Sequence, residues 1–109
     1  MQQTYYKKQL VLLGGGHAHV QVLRKLCMNF YNGLHVILVN DSLESAYSGM
    51  TPAYIQDFYK INEIIIDLQR LCFNAGVTFI NDEVVQLQTE KKKVILKNRP
   101  SIHYDLLSI

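Results

Sequence analysis

The sequence predicts an α/β fold built around a parallel β-sheet, and three features lead to that prediction. A short apolar run stops at three consecutive glycines, a segment with helical spacing follows, and a second apolar run comes next. Strand, helix and strand in this order make a βαβ unit, whose crossover is almost always right-handed. The chain has 109 residues, 49% hydrophobic and 18% charged, which is the composition of one small globular domain with one core.

The first strand is predicted at residues 9–13, because an apolar run without strict alternation is typical of a strand buried on both faces. An amphipathic helix is predicted over residues 17–31. Its apolar positions recur at steps of three and four and are Val20, Leu23, Cys27 and Phe30. Asn32-Gly33 would end this helix, and residues 36–39 would form the second strand.

Residues 41–60 are predicted to be irregular, because Pro52 restricts Thr51 and disfavours a helix through that point. A second helix is predicted to begin after Asp67, which would act as its N-cap, and to end at Gly76. One face of that helix carries the apolar side chains Leu68, Leu71, Cys72 and Ala75. A third parallel strand is predicted at residues 77–80.

After residue 82 the pattern changes to alternation. Residues 83–88 and 94–97 predict an antiparallel hairpin around a turn that contains Lys91-Lys92-Lys93. Residues 102–104 would add a third strand, and residues 106–109 begin another apolar strand. We expect the hairpin to lie apart from the parallel sheet or at one of its ends.

Charge and cysteine content exclude several classes of function. A formal net charge of +2 is too small to indicate a nucleic-acid partner or an anionic membrane surface. No apolar run approaches the roughly 20 residues of a membrane helix, and no signal peptide is visible. Cys27 and Cys72 have no C-x-x-C spacing and are predicted to be buried free thiols. We therefore expect a cytoplasmic protein.

The segment with the most chemical information is Gly14-Gly15-Gly16-His17-Ala18-His19, between a predicted strand and a predicted helix. Glycine at the first two positions of G-x-G-x-x-G lets the backbone turn tightly and lets a pyrophosphate approach it. The helix N-terminus then offers N–H groups and a partial positive charge. This predicts a dinucleotide-binding turn, and the alternative is a tight turn without a ligand.

Two positions depart from that pattern. His19 stands where a third glycine usually allows close packing of helix and sheet. Asn40 stands where an acidic residue usually accepts hydrogen bonds from a ribose; its amide oxygen can still accept, or ribose recognition shifts to Asp41. A metal site at His17 and His19 is disfavoured, because residues two apart on a helix point roughly 200° away from each other.

Four segments resemble the beginning of one flavoprotein group. They are L-V-L-L-G-G-G-H-A-H-V-Q-V-L, A-Y-S-G-M-T-P, I-D-L-Q-R-L and the final Y-D-L-L-S-I. Together they are similar to the FAD-dependent pyridine nucleotide-disulphide oxidoreductase superfamily. The similarity is greatest to its type II NADH dehydrogenase-like branch, particularly the oxidoreductase module that is fused to selenide, water dikinase in some proteins. It covers residues 8–109.

The resemblance implies a Rossmann-like three-layer FAD-binding domain with a parallel sheet and a β-meander inserted after the third strand. It implies that the FAD pyrophosphate is lined by Gly14, Gly16, His17 and Ala18. It implies that Asn40, with Asp41 as the alternative, lies at the adenosine ribose and that the backbone of Val84 lies at the adenine. Residues 47–51, which include Ser48 and Gly49, would approach the ribityl chain or the flavin ring.

The resemblance also implies that residues 1–109 are the N-terminal part of a larger enzyme. An NAD(P)H domain and a C-terminal segment would follow, and the flavin would accept hydride from NADH or NADPH and reduce an acceptor that the sequence does not identify. No catalytic residue, no metal ligand and no redox cysteine pair is predicted here, so the chain alone should be inactive. The alternatives are a non-catalytic module that binds NAD or ADP-ribose, and an inert folded fragment that forms a homodimer through its apolar edges.

Overall fold

The computed structural model describes residues 8–29, 33–47 and 64–109. Within these ranges the chain forms nine strands and two helices. In chain order they are β1 Lys8–Leu13, α1 His17–Met28, β2 Leu34–Asn40, β3 Glu44–Tyr47, β4 Ile64–Asp67, α2 Leu68–Ala75, β5 Thr78–Asn81, β6 Val84–Gln88, β7 Lys93–Leu96, β8 Ile102–His103 and β9 Leu106–Ser108.

The central element is a four-stranded sheet in the order β5-β2-β1-β9, in which every pair is parallel. The three predicted parallel strands are therefore confirmed, each within one or two residues of its predicted bounds. β9 joins the same sheet beside β1, where Leu12 is paired with Ser108. The carboxyl ends of the strands consequently share one edge of the sheet, and in open α/β sheets ligands bind at that edge.

Both faces of this sheet are covered, because successive strand residues point to opposite sides. On one side α1 and α2 pack on Leu12, Val36 and Leu38. On the other side Val11, Ile37 and Val39 pack against Val94, Leu96, Ile102 and Tyr104 of the antiparallel sheet β6-β7-β8 and the residues after it. The predicted meander is thus a separate sheet that lies over one face, and the whole is a three-layer, Rossmann-like α/β structure.

The second helix, α2, begins after Asp67 and ends at Gly76, as the sequence predicts. The Asp67 side chain accepts a hydrogen bond from the Arg70 backbone N–H at 3.1 Å. Gly76 has φ 71° in the left-handed region, and its N–H bonds back into the last turn. These caps satisfy backbone groups that the helix itself leaves without a partner.

Three predictions differ from the structure. α1 ends at Met28 and not at the predicted Asn32-Gly33, because Asn29 already adopts an extended conformation as the C-cap. β3 and β4 form an antiparallel pair, Glu44–Tyr47 against Ile64–Asp67, although part of this segment was expected to be irregular; Pro52 lies outside the described residues. The pairing joins segments about 20 residues apart in sequence, so no local turn signal announces it. Cys27 is exposed, because Leu26 packs on the core in this turn of α1 and leaves Cys27 on the last turn towards solvent.

Candidate functional site

The glycine turn between β1 and α1 requires glycine at Gly14 and Gly15 for different reasons. Gly14 has φ +93°, a conformation that side chains rarely adopt, and its N–H donates to the Val39 carbonyl oxygen at 2.7 Å. A Cβ on Gly15 would lie 2.5 Å from Leu68 Cδ1, and Leu68 is completely buried. The first glycine is thus needed for the turn itself, and the second for packing of the turn against α2.

Gly16 differs from both. Its φ is −72°, which any residue adopts, and a Cβ built on it would meet nothing within 4 Å. Gly16 is also exposed. Neither the backbone nor a neighbour among the described residues therefore requires glycine here, and the position opens to solvent at the start of a helix. The residues fit a group that approaches the backbone from outside.

The start of α1 provides that group with hydrogen-bond donors. The helical ladder begins with the Val20 N–H bonded to the Gly16 carbonyl oxygen, so the preceding N–H groups of the first turn have no partner in the ladder. The cap residue Gly16 makes no side-chain cap hydrogen bond, and the first turn contains no acidic residue. The partial positive charge of the helix N-terminus is thus not offset by a carboxylate in that turn.

Asn40, at the end of β2, holds the glycine turn in place. Its Oδ1 accepts from the Gly15 N–H at 3.0 Å, and its Nδ2 donates to the Ser42 carbonyl oxygen at 2.8 Å. From β3 the Ser45 hydroxyl donates to the Gly15 carbonyl oxygen at 2.5 Å. Ser45 was not a sequence-based candidate, because its contact depends on the β3–β4 pair.

A cleft of about 260 Å³ lies at the carboxyl ends of β1, β2 and β5. It is lined by Gly14, Val39, Asn40, Asp41, Asp82, Glu83 and Val84. The structure thus brings together four of the residues predicted from the sequence, Gly14, Asn40, Asp41 and Val84. Asp82 and Glu83, which were not predicted, also line the cleft. Together with Asp41 they make this end of the site acidic.

Asp82 is buried, with 4% of its surface exposed, and its carboxylate is fully engaged. It accepts hydrogen bonds from the Glu83 N–H at 2.7 Å, the Asn98 N–H at 3.0 Å and Asn98 Nδ2 at 2.9 Å. Burial acts to raise the pKa of Asp82, but these hydrogen bonds and the charge of Arg99 outweigh it and hold that pKa below its ordinary value. Asp82 therefore fixes Glu83 and Val84 at the rim of the cleft.

A second cleft, of about 200 Å³, lies on the other side of the turn. Its lining residues are Leu13, Gly16, His17, Ala18, His19 and Ile109. The exposed residues His17 and Ala18, both predicted site residues, border this cleft at the start of α1. Ser48 and Gly49, the remaining predicted site residues, lie outside the described residues, as do residues 50 and 51.

His19 is accommodated at the third glycine position without an unpaired polar atom. It is 5% exposed; its Nδ1 lies 2.6 Å from the Gly14 carbonyl oxygen and its Nε2 lies 2.8 Å from Ser108 Oγ. Among the described residues no group of three or more His, Cys, Asp or Glu side chains could hold a metal ion. In the same part of the chain, neither helix has the length and apolar character needed to cross a membrane.

Neither a protein-family model nor a curated protein matches this sequence. Several solved structures contain a segment that is similar to it, including the two that follow. The sulfide:quinone oxidoreductase from the hyperthermophilic bacterium Aquifex aeolicus matches 92% of this chain with a TM-score of 0.70 and 22% identity. Reduced CoADR-RHD from Bacillus anthracis matches 96% of it with a TM-score of 0.62 and 20% identity.

These similarities establish the Rossmann-like fold of the chain. The chain spans only part of the length of these proteins, 23% of the first structure and 20% of the second. It thus has the fold of a segment of two much longer proteins, and the first of these is an oxidoreductase by name.

Proposed function

We propose that this chain is the N-terminal part of an FAD-binding domain, and that its parent protein is an NAD(P)H-dependent flavoprotein oxidoreductase. The observation that carries the proposal is Gly16, a glycine that no described part of the chain requires, at the uncapped start of a helix beside a cleft. A pyrophosphate that approaches the backbone at this position would explain it. The fold shared with a sulfide:quinone oxidoreductase supports the same assignment.

In this proposal the described residues bind the ADP half of the cofactor. The turn from Gly14 to Gly16 and the first turn of α1, with His17 and Ala18, would bind the pyrophosphate. Asp41 is the better candidate for the adenosine ribose, because the Asn40 amide is already bonded to Gly15 and Ser42. The backbone of Val84, which Asp82 positions, would meet the adenine.

The remaining assignments concern the parent protein. Ser48 and Gly49 would contact the ribityl chain or the flavin ring. When bound, FAD supplies the hydride and electron transfer, and the protein supplies binding and orientation. NADH or NADPH would be the donor, and its domain would lie outside this chain. We propose no catalytic side chain in residues 1–109.

Substitutions at two adjacent glycines, Gly16 and Gly15, test the proposal. Gly16→Val places a branched side chain in the space reserved for the phosphates and should weaken ADP binding by about tenfold or more. The reason is that each lost hydrogen bond to a charged group is worth about 1.5–3 kcal/mol. Its melting temperature should stay close to that of the wild type, because its Cβ meets no atom of the chain. ADP binding can be measured by calorimetry and unfolding by circular dichroism.

Gly15→Ala is the matched control. Its Cβ collides with the buried Leu68, and overpacking of this kind costs about 1–3 kcal/mol, so it should lower the melting temperature. Retention of wild-type ADP affinity in Gly16→Val would contradict the site. Failure of the wild-type chain to bind millimolar ADP would contradict the proposed function.

The rival function, a non-catalytic module for NAD or ADP-ribose, uses the same ADP half-site. The parent protein discriminates between the two. A flavoprotein should be purified with yellow absorbance and one flavin per chain, and the Gly16→Val form of the parent should lose that absorbance. A colourless parent that binds NAD or ADP-ribose would favour the module.

A further inference from the structure

The three carbonyl groups of the glycine turn are all engaged, and each has a different donor. The Gly16 carbonyl accepts from the Val20 N–H, the Gly15 carbonyl accepts from the Ser45 hydroxyl, and the Gly14 carbonyl accepts from the His19 ring. A carbonyl oxygen is partly negative and would repel a phosphate. Bonds to protein donors hold all three carbonyl groups away from a ligand. The Gly14 and Gly15 N–H groups are bonded to Val39 and Asn40, so among the described contacts the Gly16 N–H is the group of the turn that is left to face a ligand; it points away from the Gly15 carbonyl because C=O and N–H of a trans peptide point in opposite directions.

The His19 bond has a fixed direction. The Gly14 carbonyl can only accept, so Nδ1 carries the hydrogen and donates at 2.6 Å. In the neutral ring Nε2 is then an acceptor, and the Ser108 hydroxyl donates to it at 2.8 Å. The His19 side chain, which belongs to α1, thereby links Gly14, the first glycine of the turn, to Ser108, the last residue of β9.

The same peptide unit is also held from its other end. The Gly14 carbonyl and the Gly15 N–H belong to one peptide group, and the Gly15 N–H donates to Asn40 Oδ1 at 3.0 Å. Gly14 has φ +93°, and glycine is the residue whose neighbouring peptide groups rotate most freely. Without the ring of His19, Asn40 would be the one hydrogen-bond partner among the described residues that keeps this carbonyl from turning towards the opening at Gly16.

We propose that His19 is a positioning residue of the dinucleotide site, which holds the Gly14 carbonyl on the protein side of the turn and couples the turn to β9 through Ser108. The inference rests on the proposed function, because it assigns His19 an effect on phosphate binding. It explains why a buried histidine replaces the third glycine of the pattern: the ring supplies a hydrogen bond that glycine cannot supply.

The test compares two probes, ADP and adenosine, on the 109-residue chain by NMR titration at 10 °C. His19→Leu fills a similar volume without hydrogen bonds and should weaken ADP binding by about fivefold or more, as expected for one lost hydrogen bond. Adenosine has no phosphate and reaches only the cleft at Asp41 and Val84, so its affinity should not change. Ser108→Ala should also weaken ADP binding, but by a smaller factor than His19→Leu.

Two further variants separate positioning from general stability. His19→Asn keeps a donor near the position of Nδ1 and should recover most of the ADP affinity that His19→Leu loses. His103→Leu and Ser101→Ala change an exposed histidine and an exposed serine and should affect neither probe. If His19→Leu fails to fold, His19→Asn and Ser108→Ala still test the link, because both remove the bond between His19 and Ser108 and keep a donor to the Gly14 carbonyl oxygen. Equal weakening of ADP and adenosine in these two variants would overturn the positioning role.

The outcomes are distinct. Equal weakening of ADP and adenosine, or unchanged ADP affinity despite a lower melting temperature, would overturn the positioning role. If Gly16→Val loses ADP while the His19 and Ser108 variants keep it, the proposed function survives and this inference fails. A wild-type chain that binds no ADP would overturn both.

Discussion

The thiols of Cys27 and Cys72 differ in burial, although the sequence predicts that both are buried. Cys72 lies on the buried face of α2, in the core, with none of its surface exposed. Burial, and to a smaller extent the charge of Cys27, raise the pKa of Cys72 to about 12. Cys27 is exposed on the last turn of α1. Because the thiolate is the reactive form, the two residues should differ greatly in reactivity.

We predict that at pH 8 one thiol per chain reacts quickly with a disulfide reagent such as DTNB. That thiol is Cys27. A thiol with a pKa near 12 is ionised in only about one molecule in ten thousand at pH 8, and Cys72 is also out of contact with the reagent. Cys27→Ser should therefore abolish the fast phase, and denaturant should restore one reactive thiol. A fast phase in the folded Cys27→Ser chain would contradict the assigned burial.

At the scale of elements, Asp82 connects the parallel sheet to the meander. It follows β5, and its N–H donates to the carbonyl oxygen of Asn40, the last residue of β2, at 3.1 Å. Its carboxylate accepts from Glu83, just before β6, and from Asn98, shortly after β7. One buried charge thus fixes the entry and the exit of the hairpin. The lowered pKa of Asp82 means that the charged form is favoured by folding.

The sign of the pH effect follows from that pKa. A carboxylate whose pKa is lower in the folded state stabilises the fold above its unfolded pKa, near 3.8, and loses this contribution as pH falls through the folded pKa. Asp82→Asn should lower the melting temperature by several degrees at pH 7. The difference from the wild type should begin to shrink below about pH 4 and should be lost below the lowered pKa of folded Asp82, where the wild-type carboxylate is also neutral. Glu90→Gln, an exposed change in the turn, is the control; a difference that stays constant down to pH 2.5 would contradict the role of Asp82.

Elements with local signals could be predicted from the sequence, and elements with distant partners could not. The strand before Gly14, the caps at Asp67 and Gly76, and the hairpin around Lys91 and Lys92 each depend on neighbours within a few residues. The β3–β4 pair depends on partners far apart in the chain. The hydrogen bond from Ser45 to Gly15 depends on that pair, and for this reason it has no signature in the sequence.

The same distinction applies to the candidate site. Gly14, Asn40, Asp41 and Val84 could be placed together because parallel strands bring their carboxyl ends to one edge. The roles within the site need side-chain geometry: Asn40 holds the turn, and His19 bonds to Gly14. The contribution of Asp82 arises from Asn98, a partner 16 residues away.

At the scale of the whole molecule, the proposed function makes this chain one end of a long binding site. Gly14, Asn40 and Asp82 converge at the carboxyl edge of the sheet and line one cleft. β9 forms an edge of the sheet. Leu106 in this strand has 48% of its surface exposed, and Ile109, which follows the strand, has 84% exposed. Such an edge can pair with a further strand. Self-association of the chain through this edge stays a prediction.

The last prediction concerns the affinity of the 109-residue chain for the complete cofactor. Affinity is the surplus that remains after ordering costs of several kcal/mol, and in the proposed function the described clefts bind the ADP half of FAD. In the proposed function the isoalloxazine ring is covered mainly by the parent protein, so FAD should bind this chain no more than about threefold tighter than ADP, because little additional apolar surface would be buried. Calorimetry with ADP, ADP-ribose and FAD on one preparation measures the ratio, and flavin fluorescence quenching checks it. Submicromolar FAD binding with one flavin per chain would show that residues 1–109 already form the complete pocket, and the assignment of the chain as a partial domain would then be wrong.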